Sequence, residues 1–225
     1  MIITIDGPAG SGKSAAALLL ARRLNIRQLD TGAMYRAVAL DALKQGITQD
    51  PEAMGRRVAE IQLDFDFSTH PARILLAGQD VSQAIRTPQI TQITRCAADN
   101  PTVRQAMVQR QRSIAAQSQS LVTEGRDQGT VAFPNADCKF FLDADPRSRA
   151  HRRFLELTRR NVPVDENQIL LDILQRDQQD RTRRVGALTQ APDAIIIDTT
   201  PLTLDQVVNA MAAHIEMRSA KEAHP

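Results

Sequence analysis

The stretch Gly7-Pro8-Ala9-Gly10-Ser11-Gly12-Lys13-Ser14 constrains this chain more than any other feature. It fits G-x-x-x-x-G-K-[ST], a loop that wraps phosphate groups. The chemistry needs these residue types at this spacing. Gly7, Gly10 and Gly12 let the backbone turn tightly enough to aim several N–H groups at one anion. Lys13 brings a point positive charge to the outer phosphates, and Ser14 offers a hydroxyl to Mg²⁺. Residues 2–5, Ile-Ile-Thr-Ile, predict a short buried strand, and residues 14–24, rich in Ala and Leu, predict a helix that starts at the phosphates. A chance glycine-rich turn has no reason to carry that strand before it and that helix after it.

The same strand–helix rhythm continues. Residues 27–30 read as a second strand and 31–45 as a second helix, with Thr31 as its N-cap by type and position. Another helix begins at Pro51. Residues 63–100 then break the rhythm. Leu63-Asp64-Phe65-Asp66-Phe67 alternates apolar and polar, residues 73–76 and 79–81 continue in kind, and 88–98 look helical. We read this as an insertion carrying a small antiparallel sheet. Beyond it come a helix over 101–117, strands at 121–123 and 139–143, and a helix from Pro146 that breaks near Asn161-Val162-Pro163. A charged helix over 165–184, a last buried strand over 194–198 and a helix from 204 to about 221 complete the chain. Repeated strand–helix units with short, continuously apolar strands predict an α/β fold: a central parallel sheet flanked by helices in three layers.

Composition narrows the function. A net charge of +2 over 225 residues argues against a nucleic-acid binder driven by bulk charge, and 3% aromatic content without Trp argues against a base-stacking platform. The arginines are clustered, notably Arg147, Arg149, Arg152, Arg153, Arg159 and Arg160, which suggests small anions as ligands. Cys96 and Cys138 stand far apart, so neither a disulfide framework nor a zinc site is expected, and a reducing cytoplasm fits. No apolar run of membrane-spanning length is present.

Beyond the phosphate loop, several motifs run in one order along nearly the whole chain. They are Ile3-Thr4-Ile5-Asp6-Gly7-Pro8, Leu29-Asp30-Thr31-Gly32-Ala33-Met34-Tyr35-Arg36, Ile85-Arg86-Thr87 and Pro101-Thr102-Val103-Arg104. Then follow Glu124-Gly125-Arg126-Asp127-Gln128-Gly129-Thr130, Phe141-Leu142-Asp143-Ala144, Arg149-Ala150-His151-Arg152-Arg153 and Arg176-Asp177-Gln178-Gln179-Asp180-Arg181. Together they resemble the bacterial cytidylate kinases, nucleoside monophosphate kinases of the P-loop NTPase fold. The resemblance implies a kinase core over 1–62 and 101–225, an inserted subdomain over 63–100 that binds the nucleoside monophosphate (NMP), and a short lid near 152–165. It implies Mg²⁺ with ATP as donor and CMP or dCMP as acceptor; a monomer is the default expectation, since the sequence itself does not give the oligomeric state.

The residues then take roles. Phosphoryl transfer between nucleotides gathers many negative oxygens, so basic residues from separate elements should converge. Lys13 and Arg126, with Arg149 or Arg153 from the lid, are the expected catalytic cations. Arg36 and Arg126 are expected to hold the acceptor α-phosphate, where a planar guanidinium binds two oxygens at once. Arg176, Asp180 and Arg183 fall at i, i+4 and i+7, on one helical face. Alone they would read as a solvated salt-bridge face; the resemblance assigns them to ribose and phosphates. Thr31 matches a substrate-binding position. Asp127 and Arg104 resemble the family's cytosine readers: a carboxylate suits the exocyclic amine, and a guanidinium suits O2 and N3. Ser14 and Glu124, the latter at a strand end, are the expected magnesium-side oxygens. One departure stands out, since Arg95 falls where the family usually carries a serine that contacts the base. Rival readings are a P-loop kinase for UMP, AMP or shikimate, and a nucleotide-binding module without transfer activity.

Overall fold

The computed structural model describes residues 1–159 and 161–223, so Arg160, one of the clustered arginines, lies outside the described residues. The chain opens with β1 (Ile2–Asp6), the phosphate loop, α1 (Lys13–Leu24), β2 (Arg27–Asp30), α2 (Thr31–Lys44) and α3 (Pro51–Arg57). Three short strands follow, β3 (Leu63–Asp66), β4 (Arg73–Leu76) and β5 (Gln79–Asp80), and then α4 (Pro88–Asp99) and α5 (Pro101–Ala116). The remainder is β6 (Leu121–Gly125), β7 (Cys138–Asp143), α6 (Pro146–Arg159), α7 (Glu166–Thr182), β8 (Ile195–Asp198) and α8 (Leu204–Ala223).

Five strands form one sheet in the order β2-β6-β1-β7-β8, every neighbouring pair parallel. β1 sits centrally, in register Ile3 with Val122 on one side and Cys138 on the other. Its Ile3 and Ile5 are fully buried, as a strand covered on both faces requires. One core, with Ala16, Ala17, Leu20, Met211 and Ala212, packs α1 and α8 on one face. The other core packs α2, α3, α4 and α5 on the opposite face, through Met34, Val38, Met54, Ile90, Val103 and Met107. The result is the expected three-layer arrangement, with the carboxyl ends of β1, β2, β6 and β7 opening side by side, where ligands bind in such sheets.

Strands β3, β4 and β5 form a separate antiparallel sheet. Its inward residues Leu63, Ile74, Leu76 and Val81 belong to the same core as α2 and α5, so it shares the main body's hydrophobic interior.

Three local expectations are corrected. The N-cap of α2 is Asp30, whose Oδ1 accepts from the Ala33 N–H at 2.9 Å, while Thr31 is the first helical residue. A carboxylate suits that end of the helix dipole and frees the Thr31 hydroxyl for the sheet. β8 is an edge strand rather than a fully buried one, with Ile196 58% exposed and Ile197 buried. α7 ends at Thr182, and Arg183 is already extended (φ −56°, ψ 133°), so Arg183 leaves the helical face that its spacing predicts. Among the described residues, no helix is long and apolar enough to cross a membrane.

Candidate active site

The start of α1 differs from every other capped helix in the molecule. Asp30, Asp50, Thr87, Asn100 and Asp165 each accept backbone N–H groups at the helices they begin. α1 begins at Gly12, in the left-handed region at φ 89°, with no side-chain cap. The leading N–H groups and the positive end of the helix dipole are therefore available to an anion. Gly7 is required where β1 enters the loop: at φ 148°, a Cβ there would lie 2.0 Å from the Leu142 carbonyl oxygen. Lys13 folds back along the loop, donating to the Pro8 carbonyl at 2.6 Å. Burial, then the nearby Arg126, pushes its ammonium down to about 7. An ammonium held in that state gains from an anion placed beside it.

Opposing the loop is a set of guanidinium groups from separate elements. Arg36 comes from α2, Arg126 follows β6, Arg176 comes from α7 and Arg95 from α4. Burial and Arg126 lower Arg176 to about 10, with Arg36 and Arg95 adding to the repulsion. Arg36 is lowered by burial and feels Arg86 and Arg153. Arg36 also donates to the Thr91 hydroxyl of α4 at 2.9 Å. Asp180 is the carboxylate among them, accepting from Arg126 Nε and from Arg183 Nη2, both at 2.7 Å. Burial alone would raise Asp180, but Arg126 and Arg183 outweigh it and hold the carboxyl below its ordinary value. Arg183 reaches across to Asp99 at the end of α4, at 2.6 Å. Arg95 is exposed on α4, while Thr94 donates to the Ile90 carbonyl of its own helix.

Arg104 and Asp127 form a buried ion pair, 3% and 4% exposed. Arg104 Nη2 donates to Asp127 Oδ2, and Nη1 donates to the Ala98 carbonyl at 3.0 Å. Its Nε is buried without a hydrogen-bond partner. The pair thus presents an orphaned donor beside a carboxylate that retains acceptor capacity. Tyr35 lies against the guanidinium, 5.5 Å from ring centroid to Cζ. The loop after α7 crosses the pair at Gly186, φ 68°, where a Cβ would fall 1.9 Å from Arg104 Nη2.

Two predicted residues take unexpected places. Arg149 is 2% exposed. It donates to the carbonyls of Ala9 and Ala144 and to Asp177, so its fork is spent beneath the phosphate loop. Spacing could not separate it from its neighbours, because each turn of α6 offers an arginine. Arg153 is exposed and pairs with Glu156 at 2.6 Å. Thr31 donates to the Glu124 carbonyl at 2.7 Å, which joins the ends of β2 and β6 and leaves only its lone pairs for a ligand.

Asp6 went unassigned in the sequence reading. It accepts from the Gln128 and Gly129 N–H groups at 2.9 and 2.7 Å, fixing the turn that carries Arg126 and Asp127. Burial raises its carboxyl to about 6. Its position just before Gly7 was the available signal.

Ser14 donates to Glu124 Oε1 at 2.7 Å. Glu124 is raised by burial and by Asp30, a second carboxylate close by. A hydroxyl and carboxylates at the mouth of the loop are hard oxygen donors, which fit Mg²⁺. Among the described residues no group of three or more His, Cys, Asp or Glu is placed to hold a metal ion.

A phosphate loop at the centre of a parallel sheet, facing a ring of guanidinium groups, defines a P-loop kinase, a nucleotide-binding, ATP-dependent phosphotransferase. The cytidylate kinase family model matches residues 3–217, and the chain belongs to that family. It is 44% identical over 212 residues to a cytidylate kinase of Syntrophotalea carbinolica, covering 94% of this chain and 90% of that one. It is 43% identical over 220 residues to a cytidylate kinase of Solibacter usitatus, covering 97% and 93%. An uncharacterized protein of Eubacterium ventriosum ATCC 27560 shares the fold, with TM-score 0.51, 15% identity, and coverage of 96% of this chain and 98% of that one.

Proposed function

We propose that this chain transfers the γ-phosphoryl group of Mg·ATP to CMP or dCMP, giving ADP and CDP or dCDP. The observation that carries this reading is the Arg104–Asp127 pair set beside the arginine ring. Its orphaned Nε offers one N–H donor to the O2 and N3 edge of cytosine, and its carboxylate matches the exocyclic amine. In this reading Arg36, Arg126 and Arg176 receive the acceptor phosphate. Asp180, through its remaining lone pairs, and Arg183 serve the ribose side, with Thr31 beneath them. Arg95 is the outermost cation. Lys13 and the uncapped start of α1 receive the donor phosphates, and Arg153 swings in from the lid.

Ser14 and Glu124 would hold the Mg²⁺, which neutralises charge on the donor phosphates. Attack needs the two anions brought into line with their repulsion cancelled, and no general base of special pKa is needed. The chain's residues supply that cancellation from fixed positions, so little reorganisation accompanies transfer.

The division of labour follows the same reading. Residues 63–100 form the NMP-binding subdomain, 1–62 and 101–225 the kinase core, and about 152–165 the lid. The separate small sheet and the Arg36–Thr91 and Asp99–Arg183 ties across α4 support it. All the named groups lie on one chain, which fits a monomer, and Cys96 and Cys138, which form no disulfide with each other, fit the cytoplasm. ADP release across CMP, dCMP, UMP, AMP and shikimate tests the function. The expected result is strong release with CMP and dCMP; release confined to another acceptor would overturn it.

A further inference from the structure

We infer that Arg149 and Asp177 are positioning residues that clamp the phosphate loop to the helix carrying the acceptor side. The inference rests on the functional reading above. Three hydrogen bonds close a ring around one loop residue. The Ala9 N–H donates to Asp177 Oδ1 at 3.3 Å. Arg149 Nη1 donates to the Ala9 carbonyl at 2.8 Å, and Arg149 Nη2 donates to Asp177 Oδ2 at 2.6 Å. Arg149 Nε is anchored on the Ala144 carbonyl just past β7, at 2.9 Å. Both polar groups of Ala9 are thus held by a single ion pair, in the middle of the loop that wraps the donor phosphates.

The position of Asp177 gives the ring its consequence. It follows Arg176 directly on α7 and precedes Asp180 by one turn. A shift of α7 therefore moves the acceptor-side groups and the loop together. Gly10 brings the loop against the same clamp, since a Cβ there would meet Arg149 Cβ at 3.3 Å. Stability alone gives no reason for the pair. Taking two charges out of water is costly, and well-packed apolar residues in the place of a buried pair are often neutral or stabilising. Arginine's rigid fork is what lets one side chain hold two carbonyls and a carboxylate. Donor and acceptor must meet in line, and a displacement of about 1 Å costs about 100-fold in rate.

The test is the double variant Arg149→Met/Asp177→Leu, which removes both charges and leaves none unpaired. It should fold, with a melting temperature lowered by no more than about 10 °C, since Ala9 and Ala144 lose hydrogen-bond partners but no charge is left unpaired. Its kcat should fall about 10- to 100-fold with the KM for CMP changed less than about threefold. Amide exchange of the loop peptide carrying Ala9 in the free protein should quicken about tenfold or more, while β1 and β6 keep their protection. Arg149→Lys should lose as much kcat as the double variant, because a single ammonium cannot hold the three acceptors. If the double variant does not fold, Asp177→Asn carries the same kinetic and exchange expectations at unchanged volume, with a lowered melting temperature because Arg149 keeps its buried charge. Parental kcat and parental loop exchange in a folded variant would overturn the inference, as would full activity in Arg149→Lys. The exchange measurement needs no substrate. A parent inactive on CMP would therefore refute the proposed function, while loop exchange still judges the clamp.

Discussion

Asp127→Asn isolates the reading of the base. The substitution keeps the shape of the side chain and replaces one acceptor by an amide donor. Cytosine offers a donor where uracil offers O4, so under the proposed function the parent carboxylate would meet uracil acceptor to acceptor in a desolvated pocket. Such a mismatch discriminates far more strongly than a lost methylene. The ratio of kcat/KM for CMP over UMP should narrow by about tenfold or more, about 1.4 kcal/mol of transition-state discrimination. The structure adds a second cost. Arg104 is as buried as its partner, and its remaining bond is to the Ala98 carbonyl. Leaving a buried charge unpaired costs about 3–5 kcal/mol; the Asn oxygen retains part of the contact, so about 1–3 kcal/mol of lost stability is expected. CMP activity should therefore fall in absolute terms while selectivity relaxes. Steady-state kinetics on both acceptors, beside a urea denaturation curve, reads both effects. Equal losses on CMP and UMP would refute the reasoning, and would make Asp127 a support for Arg104 and not a reader of the base.

Other perturbations address the remaining parts of the site. Lys13→Ala should cut turnover by about 100-fold or more while leaving the circular dichroism spectrum unchanged, because the side chain faces the loop and not the apolar core; near-parental turnover would remove the phosphate loop from the chemistry. Arg176→Ala should raise the KM for CMP about 10- to 150-fold and leave the KM for ATP nearly unchanged, and a change confined to ATP would place α7 on the donor side. Arg95→Ser should change CMP affinity only modestly, since Arg95 is exposed and Arg104 and Asp127 remain, and a large loss by titration would give Arg95 a central role. Asp6 carries a pH signature. Its folded carboxyl is raised from 3.8 to about 6, so the folded state holds its proton longer than the unfolded chain, and stability falls as pH rises through that window. Across about two pH units this is worth about 3 kcal/mol. The stability difference between the parent and Asp6→Asn, measured from pH 3.5 to 7, should change by that order; a flat difference would contradict it.

Motif and architecture are both legible in the chain alone. Local chemistry is decisive there: only glycines tolerate the loop's backbone, only a lysine and a hydroxyl complete it, and continuously apolar strands between helices admit a parallel sheet. The grouping of Arg36, Arg126 and Arg176 is expected from the family resemblance; they come from α2, the turn after β6 and α7, and Arg176 feels the charges of the other two. Burial and pairing were decided by the tertiary structure. Arg149 and Arg153 are four residues apart on one arginine-rich helix, and sequence treats them alike. Packing puts one beneath the phosphate loop and the other in solvent. Asp6 and Asp177 look like ordinary surface carboxylates in the chain. They become the fixed points of the 126–129 turn and of Ala9 only when β1, β6, α6 and α7 are assembled. The spacing of Arg183 implied a helical face, yet the helix stops one residue earlier and the side chain bridges Asp180 and Asp99. Periodicity encodes which face of an element is apolar; which charge meets which depends on contacts between elements far apart in the chain, and no local pattern carries that information.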